Sequence, residues 1–291
     1  MPRRIKDPDA TSLDDVLDEF LGLVEDAVAE GRALGDTEVH RLKQVADRAD
    51  QARRLRSAEL DQAAALALQR SLLPARLPEV PGVELAARYA PGHAFGVGGD
   101  WYDVFRLPTG WLGVVIGDVS GHGLASAVVM GRVRSALRAY ALVCDDPADA
   151  LTLLDRKVHH FEAGSLTTAL YGMVSPDRTR IVLSSAGHLR PAIATPGDRC
   201  RLADVPVDPP LGISRQHAPR RSAALPLPHG ALLLCYTDGL VERRDEVIDT
   251  GVDRLLAAVR AENAETVCAS VMDGAGTEDD VAVLAIRRRN T

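Results

Sequence analysis

The sequence predicts an α+β chain: a β-sandwich-like core with helices on its outer faces, preceded by a helical extension. Three observations carry this. The first 73 residues hold almost no strand signal and one aromatic residue, Phe20. From about residue 82 the chain turns to short apolar runs separated by Gly, Pro and Asp turns such as Pro108-Thr109-Gly110 and Pro176-Asp177. Several of those runs follow one another with only a turn between them, which favours antiparallel pairing over a parallel, doubly wound sheet.

The N-terminal segment, residues 1–73, starts with a capping-box pattern, Ser12 with Asp15 three places on. Leu13, Val16, Leu17, Phe20, Leu21, Val24 and Val28 then recur at helical spacing, and Gly31 is a stop signal. Asp36 and Thr37 open a second helix. No proline or glycine occurs from Glu38 to Leu73, so that helix can run roughly 50–55 Å at about 1.5 Å per residue. Val39, Leu42, Ala46 and Ala49 fit a coiled-coil seam, Arg53 and Arg56 interrupt it, and Leu60, Ala63 and Ala67 resume it. The pattern fits an interrupted coiled coil, with homodimerisation as one outcome, and equally a helix lying on its own domain. Pro74, Pro78 and Pro81 close it, so the second domain is read as residues 74–291.

Within that domain, strands are expected at Val83–Tyr89, Trp101–Arg106, Trp111–Ile116, Thr167–Val174, Arg180–Ser185, Ala231–Tyr236 and Val281–Arg287. Helices are expected at about 122–143, 147–162, 251–260 and 264–272. Gly123, Ala127, Gly131 and Ser135 recur every fourth residue, a small-residue face suited to close packing. Arg132, Arg134 and Arg138 on the same helix read as solvated charges or as a docking surface for an acidic partner.

Composition excludes several classes. Hydrophobic residues at 46% and charged residues at 26% are ordinary for a globular protein. A net charge of −7 gives no basic nucleic-acid footprint, so no nucleic-acid partner is expected. No apolar stretch approaches ~20 residues, so no membrane span is expected. The start Met-Pro-Arg-Arg-Ile-Lys-Asp-Pro lacks the apolar core of a secretory signal, and no stretch is left over for a separate sensor domain. The cysteines at 144, 200, 235 and 268 lack CxxC spacing and read as reduced thiols, which points to a cytoplasmic protein.

The chemistry lies in aspartates at strand ends. Asp118 follows the run Trp-Leu-Gly-Val-Val-Ile-Gly, and Asp238 follows Ala-Leu-Leu-Leu-Cys-Tyr-Thr. Asp279 and Asp280 precede Val-Ala-Val-Leu-Ala-Ile, and Asp100 and Asp103 flank another strand start. A lone Asp-Gly is usually a turn, but acids from four strand ends that share one edge converge on one spot. Converging carboxylates repel unless a cation compensates them. All-oxygen donors select Mg²⁺ or Mn²⁺ over zinc, and two such ions can drive phosphoester hydrolysis. Glycines at 98, 99, 117, 121, 123 and 239 surround these acids, and the Val119 carbonyl is placed to face a metal.

Six pieces occur in order: Val97-Gly98-Gly99-Asp100-Trp101-Tyr102-Asp103, Gly117-Asp118-Val119-Ser120-Gly121-His122-Gly123, Ser185-Ala186-Gly187-His188, Pro210-Leu211-Gly212, Tyr236-Thr237-Asp238-Gly239 and Asp279-Asp280. Together with Leu68-Gln69-Arg70-Ser71-Leu72-Leu73-Pro74, this set resembles the SpoIIE/RsbU branch of the PPM metal-dependent Ser/Thr phosphatases over roughly residues 66–289. The resemblance implies an α-β-β-α sandwich of two antiparallel sheets binding two Mn²⁺ or Mg²⁺ ions. It implies that Asp118 bridges both, that the Val119 carbonyl helps hold one, that Asp238 and Asp279 hold the other, and that Asp100 acts directly or through water. Asp118 and Asp238 would then be catalytic through metal-activated water, with no phosphoenzyme. The absence of a Cys-x5-Arg loop agrees with that last point.

The implied substrate is a phosphorylated STAS-domain anti-anti-sigma protein in a partner-switching pathway, with the N-terminal helices as the place for an activator. The branch also links the helix after the Asp118 motif to switching between metal-poor and metal-competent states. Two positions depart from the wider family: Ser120 stands where many members carry His, which leaves the general acid unassigned, and Ala282 stands where Thr or Ser is usual. His188, with Gly187, is either a substrate contact or a packed turn histidine. Two rival readings keep the same acids: a catalytically weak binding module that regulates a partner, and a metal-dependent phosphodiesterase or nuclease, which would need a basic groove.

Overall fold

A computed structural model describes residues 21–22, 24–25, 28–29, 33, 35–92, 98–121, 123–162, 164–213, 219–273 and 279–289. The capping pattern at Ser12, the Gly31 stop, and Val97 and His122 lie outside these residues. The chain divides into two compact units, Met1–Ala64 and Ala65–Thr291. Helix α1 (Asp36–Leu72) begins in the first and ends in the second. Asp36 and Glu38 sit in its first turn, where carboxylates complement the helix dipole, and Glu38 Oε2 accepts the Gly35 N–H at 2.8 Å. Along it Val39, Leu55 and Leu60 are exposed and Val45 is buried.

The second unit is built from β1 (Val83–Ala90), β2 (Trp101–Arg106), β3 (Leu112–Val119), α2 (Leu124–Ala141), α3 (Pro147–Phe161), β4 (Thr167–Val174), β5 (Arg180–Ala186), β6 (Ala192–Ala194), β7 (Arg201–Leu202), β8 (Val207–Asp208), β9 (Ala223–Pro226), β10 (Leu232–Tyr236), α4 (Ile248–Ala258), α5 (Ala264–Asp273) and β11 (Val281–Arg288). One sheet runs β1-β11-β10-β6-β7, and the other runs β2-β3-β4-β5-β8 with β9 also on β5. Pairing is antiparallel as expected, apart from the two-residue match of β5 with β8. The seven predicted strands and four predicted helices all form, with ends shifted by up to three residues. Strands β6 to β9 are two to four residues long, too short to carry a period-2 pattern, and sequence reasoning missed them.

Both faces of each sheet are covered, and the side chains sort by alternation. On β10, Leu233 and Cys235 point between the sheets, whereas Leu232, Leu234 and Tyr236 point toward α4 and α5. On β11, Ala282, Leu284 and Ile286 face inward, and Val281, Val283 and Ala285 face the helices. On β3, Val114 and Ile116 meet the other sheet, while Val115 and Val119 pack with Met130 and Val133 of α2 and Leu151 and Leu154 of α3. Strands apolar on both faces read as continuous hydrophobic runs, which is why the sequence revealed them. The order of layers is α-β-β-α.

The same alternation corrects one expectation. On β2, Tyr102 and Val104 face inward, so Trp101 and Asp103 face α2. Asp103 is fully buried there, away from the other acids. It accepts Arg138 Nε and Nη2 at 2.6 and 2.8 Å, and Arg134 Nε lies 3.0 Å away. Arg138 also sits over the Phe105 ring. These two arginines are therefore a clamp between sheet and helix, not solvated charges. Arg132 instead pairs with the buried Glu162 at 3.2 Å.

Breaking a buried pair costs most when a charge is left buried alone. Arg134→Met with Arg138→Met strands the Asp103 carboxylate and should cost about 3–5 kcal/mol at pH 7 in urea unfolding. Asp103→Asn frees two arginines that can reach water, and should cost only about 1–2 kcal/mol. Equal costs would contradict the clamp.

Candidate active site: a carboxylate cluster at one edge of the sandwich

Antiparallel pairing brings the acids together. Where β3 ends, β2 begins: Gly117 pairs with Trp101, so Asp118 and Asp100 lie at the same edge. Where β10 ends, β11 begins: Tyr236 pairs with Val283, and Thr237 N–H donates to the Ala282 carbonyl at 3.1 Å. Asp238 then opens a short 3-10 turn, Asp238–Leu240, and Asp279 and Asp280 immediately precede β11. Asp100 and Asp280 are buried, Asp118 and Asp238 half-buried, and Asp279 exposed, so the cluster has a dry floor and a wet rim.

A chain of hydrogen bonds ties the floor to both sheets. Ala282 N–H donates to Thr237 Oγ1 at 2.8 Å, and the Thr237 hydroxyl donates to Asp100 Oδ2 at 2.7 Å. Asp100 and Asp118 lie close enough for each to shift the other's proton affinity. Burial pushes Asp100 well above the usual carboxylate range, with Asp118, Asp238 and Asp280 adding to it against the Thr237 bond. Burial, then Asp238, Asp279 and Asp280, push Asp118 up to about 7. Asp238 is raised by burial and by Asp279 and Glu242, although it accepts the Gly239 N–H at 3.0 Å. Burial also raises Asp280, which accepts the Gly92 N–H at 2.7 Å. The rises come from burial and from one another.

Glycine is required twice. A Cβ on Gly99 would overlap the Val119 carbonyl oxygen, and one on Gly98 would overlap Asp280 Oδ2. The Gly98-Gly99 backbone thus lies flush against the acids, and Gly99 O accepts the Val119 N–H at 3.1 Å. The groups that could hold a metal here are all oxygen, the carboxylates of Asp100, Asp118, Asp238 and Asp279 and the Val119 carbonyl, and such a set would suit a hard divalent cation. Among the described residues, no three His, Cys, Asp or Glu side chains close into a ready ligand shell. Several of the acids nevertheless stand near enough to raise one another's proton affinity.

Other sequence-derived candidates fall as follows. His188 is buried; its Nε2 donates to the Tyr236 carbonyl at 3.1 Å, so the ring is the Nε2–H tautomer and Nδ1 accepts from Thr168 Oγ1 at 2.9 Å. Burial lowers its pKa to about 4, so it is neutral and ties β4 to β10. Gly187 lies against Pro210. Ser120 is exposed; its Oγ accepts the Leu166 N–H at 3.2 Å. The Ala282 methyl is in the core between the sheets, and Thr237 supplies the hydroxyl there. Thr237 and Asp280 are the site residues that sequence reasoning left unassigned. Their signal was adjacency to Asp238 and Asp279.

A carboxyl whose pKa rises from 3.8 to about 7 on folding binds its proton more tightly in the folded state. Its contribution to stability is fully present below pH 3.8 and is lost as pH rises through about 7. Asp118→Asn should therefore raise the Tm of the metal-free protein by several degrees at pH 8, by clearly less at pH 5, and hardly at all below pH 3.8. A lower Tm at pH 8 would sink this account of the cluster.

The SpoIIE family model (Stage II sporulation protein E) matches residues 108–289, a span that holds Asp118, Asp238 and Asp279 and starts after Asp100. Protein IcfG of Synechocystis sp. is 23% identical over 259 residues, covering 76% of this chain and 40% of that protein. The phosphoserine phosphatase RsbP of Bacillus subtilis is 28% identical over 149 residues, covering 50% of this chain and 36% of RsbP. The chain thus spans well under half the length of either curated relative. Among solved structures, the RsbU and RsbW domains of Rv1364c from Mycobacterium tuberculosis superpose with a TM-score of 0.65 at 28% identity, covering 75% of this chain and 63% of that one. With an α-β-β-α sandwich, acids at one shared edge and a family match across most of the second unit, this chain belongs to the SpoIIE family of PP2C-type phosphatase domains.

Proposed function

We propose that the domain is a Mn²⁺- or Mg²⁺-dependent phosphatase acting on a phosphoserine or phosphothreonine of a protein, specifically a STAS-domain anti-anti-sigma protein. One observation supports the metal-dependent chemistry: carboxylates from four strand ends gather at one edge and raise one another's proton affinity. The relatives support the substrate class. RsbP is a phosphoserine phosphatase, the Rv1364c structure joins RsbU and RsbW domains, and the family works in partner-switching regulation.

Asp118, the Val119 carbonyl, Asp238 and Asp279 would hold two ions, with Asp100 contributing directly or through water. When bound, the ions supply Lewis acidity that activates water and neutralises charge on the phosphoryl group. The chain's own residues prepare the place. Thr237 fixes one oxygen of Asp100, so the Asp100 carboxyl is oriented toward Asp118. Gly98 and Gly99 keep side chains out of the approach. Covalent catalysis by cysteine is disfavoured: burial pushes Cys200 to about 11 and both Cys235 and Cys268 to about 12, and raises Cys144 as well.

Residues 1–73 are proposed as the regulatory segment, by dimerisation or by docking an activator; the exposed Val39, Leu55 and Leu60 along α1 support this. Among the described residues no helix is long and apolar enough to cross a membrane. A cytoplasmic setting is proposed, and the free thiols support it.

The test is release of phosphate from a phosphorylated STAS protein with Mn²⁺ present. Wild type should turn over. Asp118→Asn should lose at least about a hundredfold in kcat/KM, equivalent to about 2.7 kcal/mol of transition-state stabilisation. A wild type that binds the phosphoprotein and never hydrolyses it is instead the binding module that Ser120, standing where His is common, leaves open.

A further inference from the structure

Between β8 and β9 the chain returns to the catalytic edge as Pro209–Gly212. Leu211 N–H donates to the Thr167 carbonyl at 2.8 Å, which lays this segment beside β4 like an added strand. Thr167 is in turn the register partner of Val119. The order across that edge is therefore Val119, Thr167, Leu211, and Pro209–Gly212 forms a side wall next to the Asp118 corner. Leu211 is fully buried, and Ile213 just beyond it is 56% exposed.

The wall is held by an ion pair that no step of the hydrolysis uses. Asp155 of α3 accepts the Gly212 N–H through Oδ1 at 2.8 Å. Its Oδ2 faces Arg220 Nη2 at 3.4 Å, and both side chains are 5% exposed. Arg220 Nη1 donates to the Pro209 carbonyl at 2.8 Å. One charged pair thus grips both ends of the segment and fastens them to α3, itself fixed in the core by Leu151, Leu154 and Val158. As a stabiliser the pair is poor. Its contact is long, and Arg220 Nε is buried with no partner among the described residues. An apolar pair of similar volume would serve stability as well or better. What an apolar pair cannot do is set the position of Pro209 and Gly212 through directed bonds.

We propose that Asp155 and Arg220 are positioning residues that hold Pro209–Gly212 as the wall against which a phosphoprotein substrate rests. The reading depends on the phosphatase assignment. It separates two parts of recognition: the acids take the phosphate, and the wall takes the polypeptide that carries it. A small phosphoester has no polypeptide to lean on the wall and is indifferent to it.

The experiment compares wild type, Arg220→Met, Arg220→Lys and Asp155→Asn with Mn²⁺, on p-nitrophenyl phosphate and on a phosphorylated STAS protein. Arg220→Met should raise KM for the phosphoprotein by about tenfold or more and change kcat for either substrate by less than about twofold. Arg220→Lys should recover most of that KM. Amide exchange at Leu211 and Gly212 should quicken about tenfold in Arg220→Met and be restored in Arg220→Lys. Equal losses on both substrates, or an unchanged phosphoprotein KM, would overturn the proposal. Asp155→Asn keeps an acceptor for the Gly212 N–H and should show the same KM rise should Arg220→Met fail to fold. If wild type hydrolyses neither substrate, the phosphatase reading fails. The exchange rates then decide by themselves whether the pair holds the wall, and unchanged exchange refutes it.

Discussion

The repulsion among Asp100, Asp118, Asp238 and Asp279 is the constraint on which the rest of the molecule turns. Folding carries these carboxylates to one edge, and burial together with their neighbours raises the affinity of Asp100, Asp118 and Asp238 for protons. The two-sheet core supplies the force that holds them there. Leu233, Leu284, Ile116 and Leu183, among others, bury their side chains between the sheets, and each fully buried side chain of that kind contributes about 1.5–3 kcal/mol. The bond series Ala282 to Thr237 to Asp100 then fixes the geometry across the two sheets. Stability made elsewhere offsets the cost of this edge, as expected of a functional site.

The buried aspartates of the second unit meet two fates, decided by position on the fold. Asp103 lies only three residues from Asp100, yet strand alternation turns it to the opposite face, where Arg134 and Arg138 neutralise it. Asp155, on the inner side of α3, is matched by Arg220. The strand-end acids instead lie against one another, with Thr237, Gly239 and Gly92 as hydrogen-bond donors. An acid paired with arginine holds elements together; an acid paired with other acids calls for a metal.

Much of this was legible in the sequence. Strands buried on both faces appear as unbroken apolar runs, and their ends mark Asp118 and Asp238 without reference to any relative. Antiparallel order then implies a shared edge. What stayed hidden was whatever depends on facing or on distant pairing. Asp103 was grouped with the site because spacing along the chain does not say which face a residue takes until the strand register is known. Strands β6 to β9 carry too few residues to show a period. Thr237 was quoted within a motif, but its hydroxyl bridge depends on Asp100, 137 positions away. The burial of His188 between Thr168 and Tyr236 likewise follows from the packing of β4 near β10, which no local pattern encodes.

The central claim is that cations complete this edge. Its most direct test is anomalous scattering at the manganese edge from crystals of the protein grown with Mn²⁺ above pH 7, where the Asp118 carboxyl gives up its proton. Two peaks about 3.5–4 Å apart between Asp118 and Asp238 are predicted. Crystals with the edge open to solvent and no anomalous peak beside Asp118 would contradict the account.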